Sequence, residues 1–172
     1  MITETSDKKL LLTEIDEPVS QLLVLMSSLD ETKINTVPYK DSWTAGQLFR
    51  HVTKSTNAMA KAMRMESRPA ERDAGEKIPD LKKAFLDFST KLKSPDFIIP
   101  EEGPYEKQAA TEELNKSFAE LRESTNKASL TDMADNLPLG AITKLEVLHF
   151  VWYHTQRHLH QMKKIVAALK NK

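Results

Sequence analysis

Cysteine is absent from this chain of 172 residues, which excludes disulfides, thiolate zinc sites and a cysteine nucleophile. Any metal site must therefore use histidine or carboxylate ligands. Glycine is scarce, with four residues, while 29% of the residues are charged. A β-rich fold would need more turn glycines and more β-branched runs. We expect an all-α protein with a single domain over residues 1–172, because this length suits one core and is short for two.

Long hydrophobic runs and an excess of charge of one sign are also missing. No apolar stretch approaches the roughly 20 residues that span a bilayer. Residues 1–8 form a polar tail without the basic and apolar regions of a signal peptide. The formal net charge is zero, with basic residues scattered among acidic ones. We therefore expect a cytoplasmic protein that binds neither nucleic acid nor a membrane.

Hydrophobic spacing predicts four long amphipathic helices. Apolar residues recur at helical intervals over residues 10–29, 44–64, 111–128 and 143–169. Pro18 falls inside the first of these helices and either kinks it or marks its start. The segment of residues 30–42, which contains Pro38, is predicted to be a connection.

The connection between the second and third long helices is predicted to contain one short helix over residues 81–92. Its apolar face would consist of Leu81, Phe85, Phe88 and Leu92. An exposed polar loop is expected before it, over residues 66–80. Between residues 95 and 104, prolines and a glycine are expected to prevent regular structure. The expected fold is a four-helix bundle with one additional short helix.

Two capping boxes mark where the second and the fourth long helices begin. Thr44 precedes Gln47 by three positions, and Thr143 precedes Glu146 by the same interval. In this motif the threonine hydroxyl accepts a hydrogen bond from the backbone of the third residue, whose side chain reaches back to the threonine N–H. Both helices carry histidines, so these starts also set where the histidines face.

Four of the five histidines lie on the last helix, in two pairs that face different ways. His154 and His158 are four residues apart, so they share one side, and both border the apolar stripe. His149 and His160 fall on the polar side, about 16 Å apart along the helix axis, and cannot share an ion. We expect those two at the surface. The fifth histidine, His51, borders the apolar face of the second helix.

His51, His154 and His158 lie at matching depths if their helices are parallel neighbours. Three neutral imidazoles with an open fourth position suit a catalytic Zn²⁺ or a similar divalent ion. Spacing alone leaves a second interpretation open, in which these are half-buried polar groups hydrogen-bonded to neighbours. The glutamate of a His-Glu-x-x-His motif is missing, so a zinc peptidase is not expected.

Two segments resemble one family in the correct order along the chain. Trp43, Gln47 and His51 resemble the Trp-Ser-x-x-Gln-x-x-x-His opening of helix two in the DinB/YfiT-like family. Residues 149–162 resemble its closing helix, in which two histidines four apart precede a glutamine and an aliphatic residue. His160 stands where family members often carry glycine. Residues 66–107 match no part of the family pattern.

The resemblance implies a four-helix bundle in which His51, His154 and His158 ligate a divalent metal, usually nickel or zinc. It also implies a metal-dependent enzyme, either a thiol-dependent transferase or isomerase or a hydrolase. In the first case a low-molecular-weight thiol would be the cosubstrate of a small-molecule substrate. The alternative is a non-catalytic dimeric bundle with a structural or vestigial metal. We expect a homodimer, with Trp43, Trp152, Phe150 and Tyr153 as candidate interface anchors that core packing explains equally well.

No general base follows from the sequence. Glu146, Glu101 and Glu102 are candidates only because they are carboxylates, and the capping box is the better explanation for Glu146. Three other side chains either line the site or cover the surface, namely Tyr153, Gln47 and Arg157. Ser55, one turn beyond His51, is expected to be a small packing residue.

Overall fold

Four long helices form the body of the protein in the computed structural model, which describes residues 4–170 and 172. The helices are α1 (Glu4–Ser27), α2 (Glu31–Ile34), α3 (Ala45–Arg64), α4 (Ile78–Leu86), α5 (Lys107–Lys127) and α6 (Lys144–Lys170). Both α3 and α1 pack against α5 and α6, so the order around the bundle is α1, α6, α3, α5. The predicted all-α four-helix bundle with a short helix after the second long one is confirmed.

The core lies between the apolar faces of the four long helices. Fully enclosed side chains come from each of them, including Ile15, Leu22, Met26, Leu48, Phe49, Leu114, Leu121, Leu148 and Met162. Burying one such side chain stabilises the fold by about 1.5–3 kcal/mol. None of the helices in the described part of the chain has both the length and the apolar character that crossing a membrane requires.

Both predicted capping boxes are present. The Thr44 hydroxyl accepts from the Gln47 N–H at 3.1 Å, and the Gln47 side chain accepts from the Thr44 N–H at 3.0 Å. At the start of α6 the Glu146 N–H donates to the Thr143 hydroxyl at 3.2 Å, and the Thr143 N–H donates to the Glu146 carboxylate at 2.8 Å. These caps satisfy backbone donors that a helix start leaves free.

Several predicted boundaries are wrong. Helix α1 begins at Glu4, so the expected polar tail is helical from that residue on, and residues 1–3 lie outside the described part. Helix α1 continues through Pro18, so this residue does not mark the start of the helix. Its ring is buried, and the carbonyl that loses a helical donor belongs to the exposed Glu14, where water can solvate it. Helix α5 begins at Lys107 rather than at residue 111.

Three short features were not predicted, and one of them is a single 3₁₀ turn over Asp96–Ile98, in the segment where prolines were expected to prevent regular structure. The one-turn helix α2 lies in the expected connection, where the Asp30 side chain accepts from the Lys33 N–H at 2.8 Å. A two-stranded antiparallel ladder joins β1 (Met133–Ala134) to β2 (Ile142–Thr143) just before α6. Pairs of two residues are too short to produce a period that the sequence could reveal.

The short helix α4 lies earlier than predicted, over Ile78–Leu86 instead of residues 81–92. Pro79 occupies its first turn, a position that needs no backbone donor. The Asp87 carboxylate accepts from the Ser89 N–H at 3.0 Å and turns the chain after Leu86. As a result, Phe88 and Leu92 do not continue the apolar face, and they are 43% and 38% exposed.

Candidate metal centre

Helices α3 and α6 bring three histidine side chains together inside the bundle. The Nε2 atom of His51 lies 3.2 Å from that of His154 and 3.0 Å from that of His158. The third distance, between the two α6 histidines, is 3.1 Å. All three side chains are buried. The residues predicted as a ligand set therefore meet at one point, and they form a group that could hold a metal ion.

Two of the imidazoles are held from behind by oxygen atoms. The Ile98 carbonyl lies 2.9 Å from Nδ1 of His51, and because a carbonyl only accepts, this Nδ1 carries the proton. The Gln161 side-chain oxygen lies 2.9 Å from Nδ1 of His158 and selects the same tautomer. In both residues Nε2 is then the unprotonated nitrogen, which is the arrangement of metal-ligating histidines. The sequence did not reveal Ile98, because 47 residues separate it from His51.

Burial keeps the three imidazoles neutral. Loss of solvent lowers the pKa of His51 despite the hydrogen bond to Ile98. The same burial, together with the neighbouring imidazoles, places the pKa of His154 well below its ordinary value. For His158, burial and the proximity of His51 lower the pKa to about 3. Neutral imidazole is the form that binds metal, so the site is ready for an ion at neutral pH.

The donor set fits a divalent cation. Nε2 of His51 and Nε2 of His158 both present lone pairs, and at 3.0 Å these repel each other unless a proton or a cation lies between them. Nε2 of His154 lies within 3.2 Å of both. An ion with tetrahedral bonds of 2.0–2.1 Å to nitrogen separates its ligand atoms by about 3.3 Å. The observed separations are close to that value. Histidine nitrogens are ligands that zinc, nickel and copper accept, whereas Mg²⁺ and Ca²⁺ prefer oxygen.

A cavity of about 270 Å³ opens onto the three histidines. Most of its wall is apolar and comes from Met59, Phe85, Phe97, Ile98, Leu139 and Phe150. Phe85 and Phe150 meet edge to face, with ring centroids 5.0 Å apart. Ser55 lies on the wall from α3, one turn after His51, and is buried. Among the described residues that line the cavity there is no carboxylate.

The three carboxylates considered as bases lie elsewhere. Glu146 is buried, caps α6 and pairs with Arg72 at 2.7 Å. Burial opposes its ionisation, but hydrogen bonds from Arg72 and the backbone outweigh that effect and lower its pKa. Glu101 pairs with Arg50 and Lys54, which lowers its pKa to about 2. Glu102 is exposed and, like the other two, lies off the cavity wall.

Of the three side chains that were predicted to line the site or cover the surface, only Arg157 lies on the cavity wall. It donates to the carbonyls of Asp87, at 2.9 Å, and Thr90. Gln47 is used by the α3 cap. Tyr153 is buried, with its hydroxyl 3.2 Å from Nδ1 of His149.

The two histidines expected at the surface differ from each other. His160 is exposed, and its ring stacks on Phe88 with centroids 4.3 Å apart. His149 is only half-exposed, and burial lowers its pKa, so the prediction for this residue was wrong. Two of the candidate interface anchors, Phe150 and Tyr153, are buried within the chain and cannot serve that role. Their helix turns them into the core.

Comparison with known proteins assigns the family. The family model described as the DinB superfamily matches residues 15–162. The chain belongs to the DinB superfamily. Among solved structures, this DinB-superfamily chain is similar to TT2238, described as a four-helix bundle protein, with a TM-score of 0.59. That match covers 91% of this chain and 98% of the other at 16% identity, so it shows the fold alone. No curated protein matches the chain.

Proposed function

We propose that this DinB-superfamily protein is a metal-dependent enzyme in which His51, His154 and His158 hold Zn²⁺ or Ni²⁺. The supporting observation is the convergence of three neutral imidazole nitrogens within 3.2 Å on the wall of a cavity. A divalent ion held by three imidazoles supplies an open position at which a thiol or a water loses its proton near neutral pH. The substrate is a small molecule that enters the cavity.

Thiol transfer is favoured over hydrolysis by the lining of the cavity. A thiol has a pKa near 8.5 and becomes a nucleophile once a metal ionises it, whereas a hydrolase commonly also uses a general acid or base to transfer protons to and from the reacting groups. No carboxylate lines the cavity in the described part of the chain. Because the chain lacks cysteine, a low-molecular-weight thiol would supply the sulfur. Its thiolate attacks an electrophilic carbon, and the leaving group departs with the bonding electrons.

The protein orients the imidazoles, keeps them neutral and surrounds the site with an apolar cavity wall. Ile98 and Gln161 fix the tautomers of His51 and His158. Phe85 and Phe150 line the side next to His154, with ring centroids 6.1 and 5.0 Å from that imidazole. Apolar walls exclude water and so protect a thiolate nucleophile from hydration. We also propose that the protein is a homodimer and that it is located in the cytoplasm. Sedimentation analysis tests the oligomeric state.

The experiment combines metal analysis with an activity assay on protein purified without an affinity tag. We expect a stoichiometric divalent metal in the native chain and a loss of most of it in His51→Ala, His154→Ala and His158→Ala. His160→Ala is the matched control, because this exposed histidine lies outside the ligand cluster. Unchanged metal content in the three variants would contradict the site.

The reaction is tested by adding electrophiles to the metal-loaded protein with and without cellular thiols. We expect turnover that requires a thiol and that disappears in His51→Ala. Turnover without any thiol would indicate a hydrolase instead. Metal binding without turnover under either condition would favour the non-catalytic bundle.

A further inference from the structure

Arg157 places a cation in the cavity wall without a matching anion. It lies on α6 between His154 and His158 and lines the cavity. Its guanidinium donates to main-chain carbonyls, at 2.9 Å to that of Asp87. Carbonyls orient a guanidinium, but they do not neutralise its charge. Within the described residues no carboxylate lies within ion-pair distance of Arg157.

Burial lowers the pKa of Arg157 and the charge of the nearby Asp87 partly opposes this, but the Asp87 carboxylate forms no ion pair with the guanidinium. That carboxylate accepts hydrogen bonds from the Ser89 N–H at 3.0 Å and from the Thr90 hydroxyl at 2.7 Å. These bonds hold the Asp87 carboxylate in the turn after α4. The charge of Arg157 is therefore left facing a cavity with mostly apolar walls, a setting in which a bound anion is strongly favoured.

Lys93 adds a second cation to the same cavity. It lines the wall from the loop after α4, is exposed and forms no ion pair with any described residue. The three histidines contribute no charge when neutral, and carboxylates are missing from the described lining. The cavity therefore has a positive potential, which attracts anionic ligands and is strengthened by low-dielectric walls.

The rest of the wall suits an apolar body. Phe85 and Phe150 form one side, and Met59 and Leu139 contribute aliphatic surface. The volume of about 270 Å³ exceeds that of an engineered apolar cavity of roughly 150 Å³ that binds benzene. A body of two fused aromatic rings is therefore a suitable size for a probe.

We propose that the cavity binds an apolar small-molecule carboxylate, whose anionic group pairs with Arg157 and Lys93 while its apolar body lies against Phe85 and Phe150. This proposal names the substrate class for the proposed enzyme and rests on that function. The binding itself requires no metal, because both cations belong to the chain.

The test compares 2-naphthoate with its neutral isostere 2-naphthamide by calorimetric titration of the full-length protein. Chelator-treated and zinc-loaded samples are both used, because a carboxylate can also bind a metal. We expect 2-naphthoate to bind at least about tenfold more tightly than the amide in both samples, as charge-assisted hydrogen bonds predict. Arg157→Gln and Lys93→Gln should each reduce this ratio, and Lys91→Gln, in the same loop but off the cavity wall, should not.

Arg157→Lys separates charge from folding. Arg157 also holds the carbonyls after α4, so Arg157→Gln could act by loosening that segment. The lysine variant retains the cation and should retain most of the preference for the carboxylate. A ratio near unity in the native protein, or an unchanged ratio in both neutral variants, would overturn the proposal. A preference confined to the zinc-loaded sample and insensitive to Arg157→Gln would also overturn it.

These outcomes are distinct from failure of the proposed enzyme function. If zinc titration finds no binding while chelator-treated protein still prefers 2-naphthoate through Arg157, the carboxylate site stands and the metal enzyme does not. If zinc binds and supports thiol-dependent turnover, but 2-naphthoate and 2-naphthamide bind with nearly equal affinity, the metal enzyme stands and the carboxylate site does not.

Discussion

At the scale of single residues, the candidate site consists of buried imidazoles whose protonation state is set by their surroundings. Burial lowers the pKa of His51, His154 and His158, in the last case to about 3. The proton of His51 stays on Nδ1 because the Ile98 carbonyl can only accept. A metal therefore competes with few protons at neutral pH.

The lowered pKa values predict that the metal-free protein loses stability on mild acidification. Between the folded pKa and the ordinary value of 6.5, the unfolded chain binds more protons, so the free energy of unfolding falls as the pH drops below about 6.5. The loss is at most roughly 1.4 kcal/mol per pH unit for each such histidine. Urea denaturation of chelator-treated protein at pH 7.0 and pH 5.5 measures it.

A variant in which all three ligands are glutamine is the control for this prediction. In this variant the free energy of unfolding should change much less between pH 7.0 and pH 5.5. A smaller change should remain from His149, because burial lowers the pKa of that residue too. Asp87 and Glu101 do not interfere. Their pKa values of about 2 mean that their contribution is lost only as the pH falls below the ordinary carboxylate range. Equal stability of the native protein at both pH values would contradict the prediction.

At the scale of elements, α3 both carries a ligand and holds the loop that orients it. The Lys54 ammonium donates to the Ile99 carbonyl at 2.9 Å and to Glu101 at 2.8 Å. Arg50 also pairs with Glu101, at 2.9 Å. These contacts fix the backbone next to the Ile98 carbonyl that contacts His51. One helix thus supplies His51 and, through two cations, the segment behind it.

Lys54→Met should therefore weaken metal binding without removing a ligand. Loss of a group that supports a metal ligand typically reduces affinity 10–100-fold, and we expect about tenfold because Arg50 still holds Glu101. Competition titration with a chromophoric chelator measures the change. Lys61→Met is the matched control, since Lys61 lies on the same helix and is exposed. Equal affinities in the two variants would mean that the loop is held without Lys54.

At the scale of the whole molecule, the bundle brings residues together that are about a hundred positions apart. His51 and His154 lie on neighbouring helices, and a metal held between them would link α3 to α6 only in the folded state. Such an ion stabilises the fold by mass action, by about 2.7 kcal/mol at a free concentration of one hundred times Kd.

Metal removal should consequently lower the melting temperature. For a chain of this length, that free energy corresponds to a decrease of about 5–10 °C. Differential scanning calorimetry with zinc and with chelator measures the shift. His51→Ala should melt at the same temperature in both conditions, and His160→Ala should keep the native shift. A native protein that melts identically with zinc and with chelator would argue against the site.

Local signals account for what the sequence predicted well. The caps at Thr44 and Thr143 involve residues three positions apart, so the starts of α3 and α6 could be read directly. Helical periodicity placed His154 and His158 on the buried side and excluded His160. Periodicity could not locate the end of α4, because the turn at Asp87 depends on side-chain hydrogen bonds rather than on an apolar pattern.

The sequence by itself determined the helical class, the starts of the two histidine-bearing helices and the inward placement of His51, His154 and His158, because each depends on residues within about one helical turn of one another. Only the tertiary structure decided that the Nε2 atoms meet within 3.2 Å. It also decided that the Ile98 carbonyl orients His51, that Arg157 faces the cavity without a carboxylate and that the acidic candidates lie elsewhere. Those features depend on contacts between residues far apart in the chain, and such contacts form only when the helices pack.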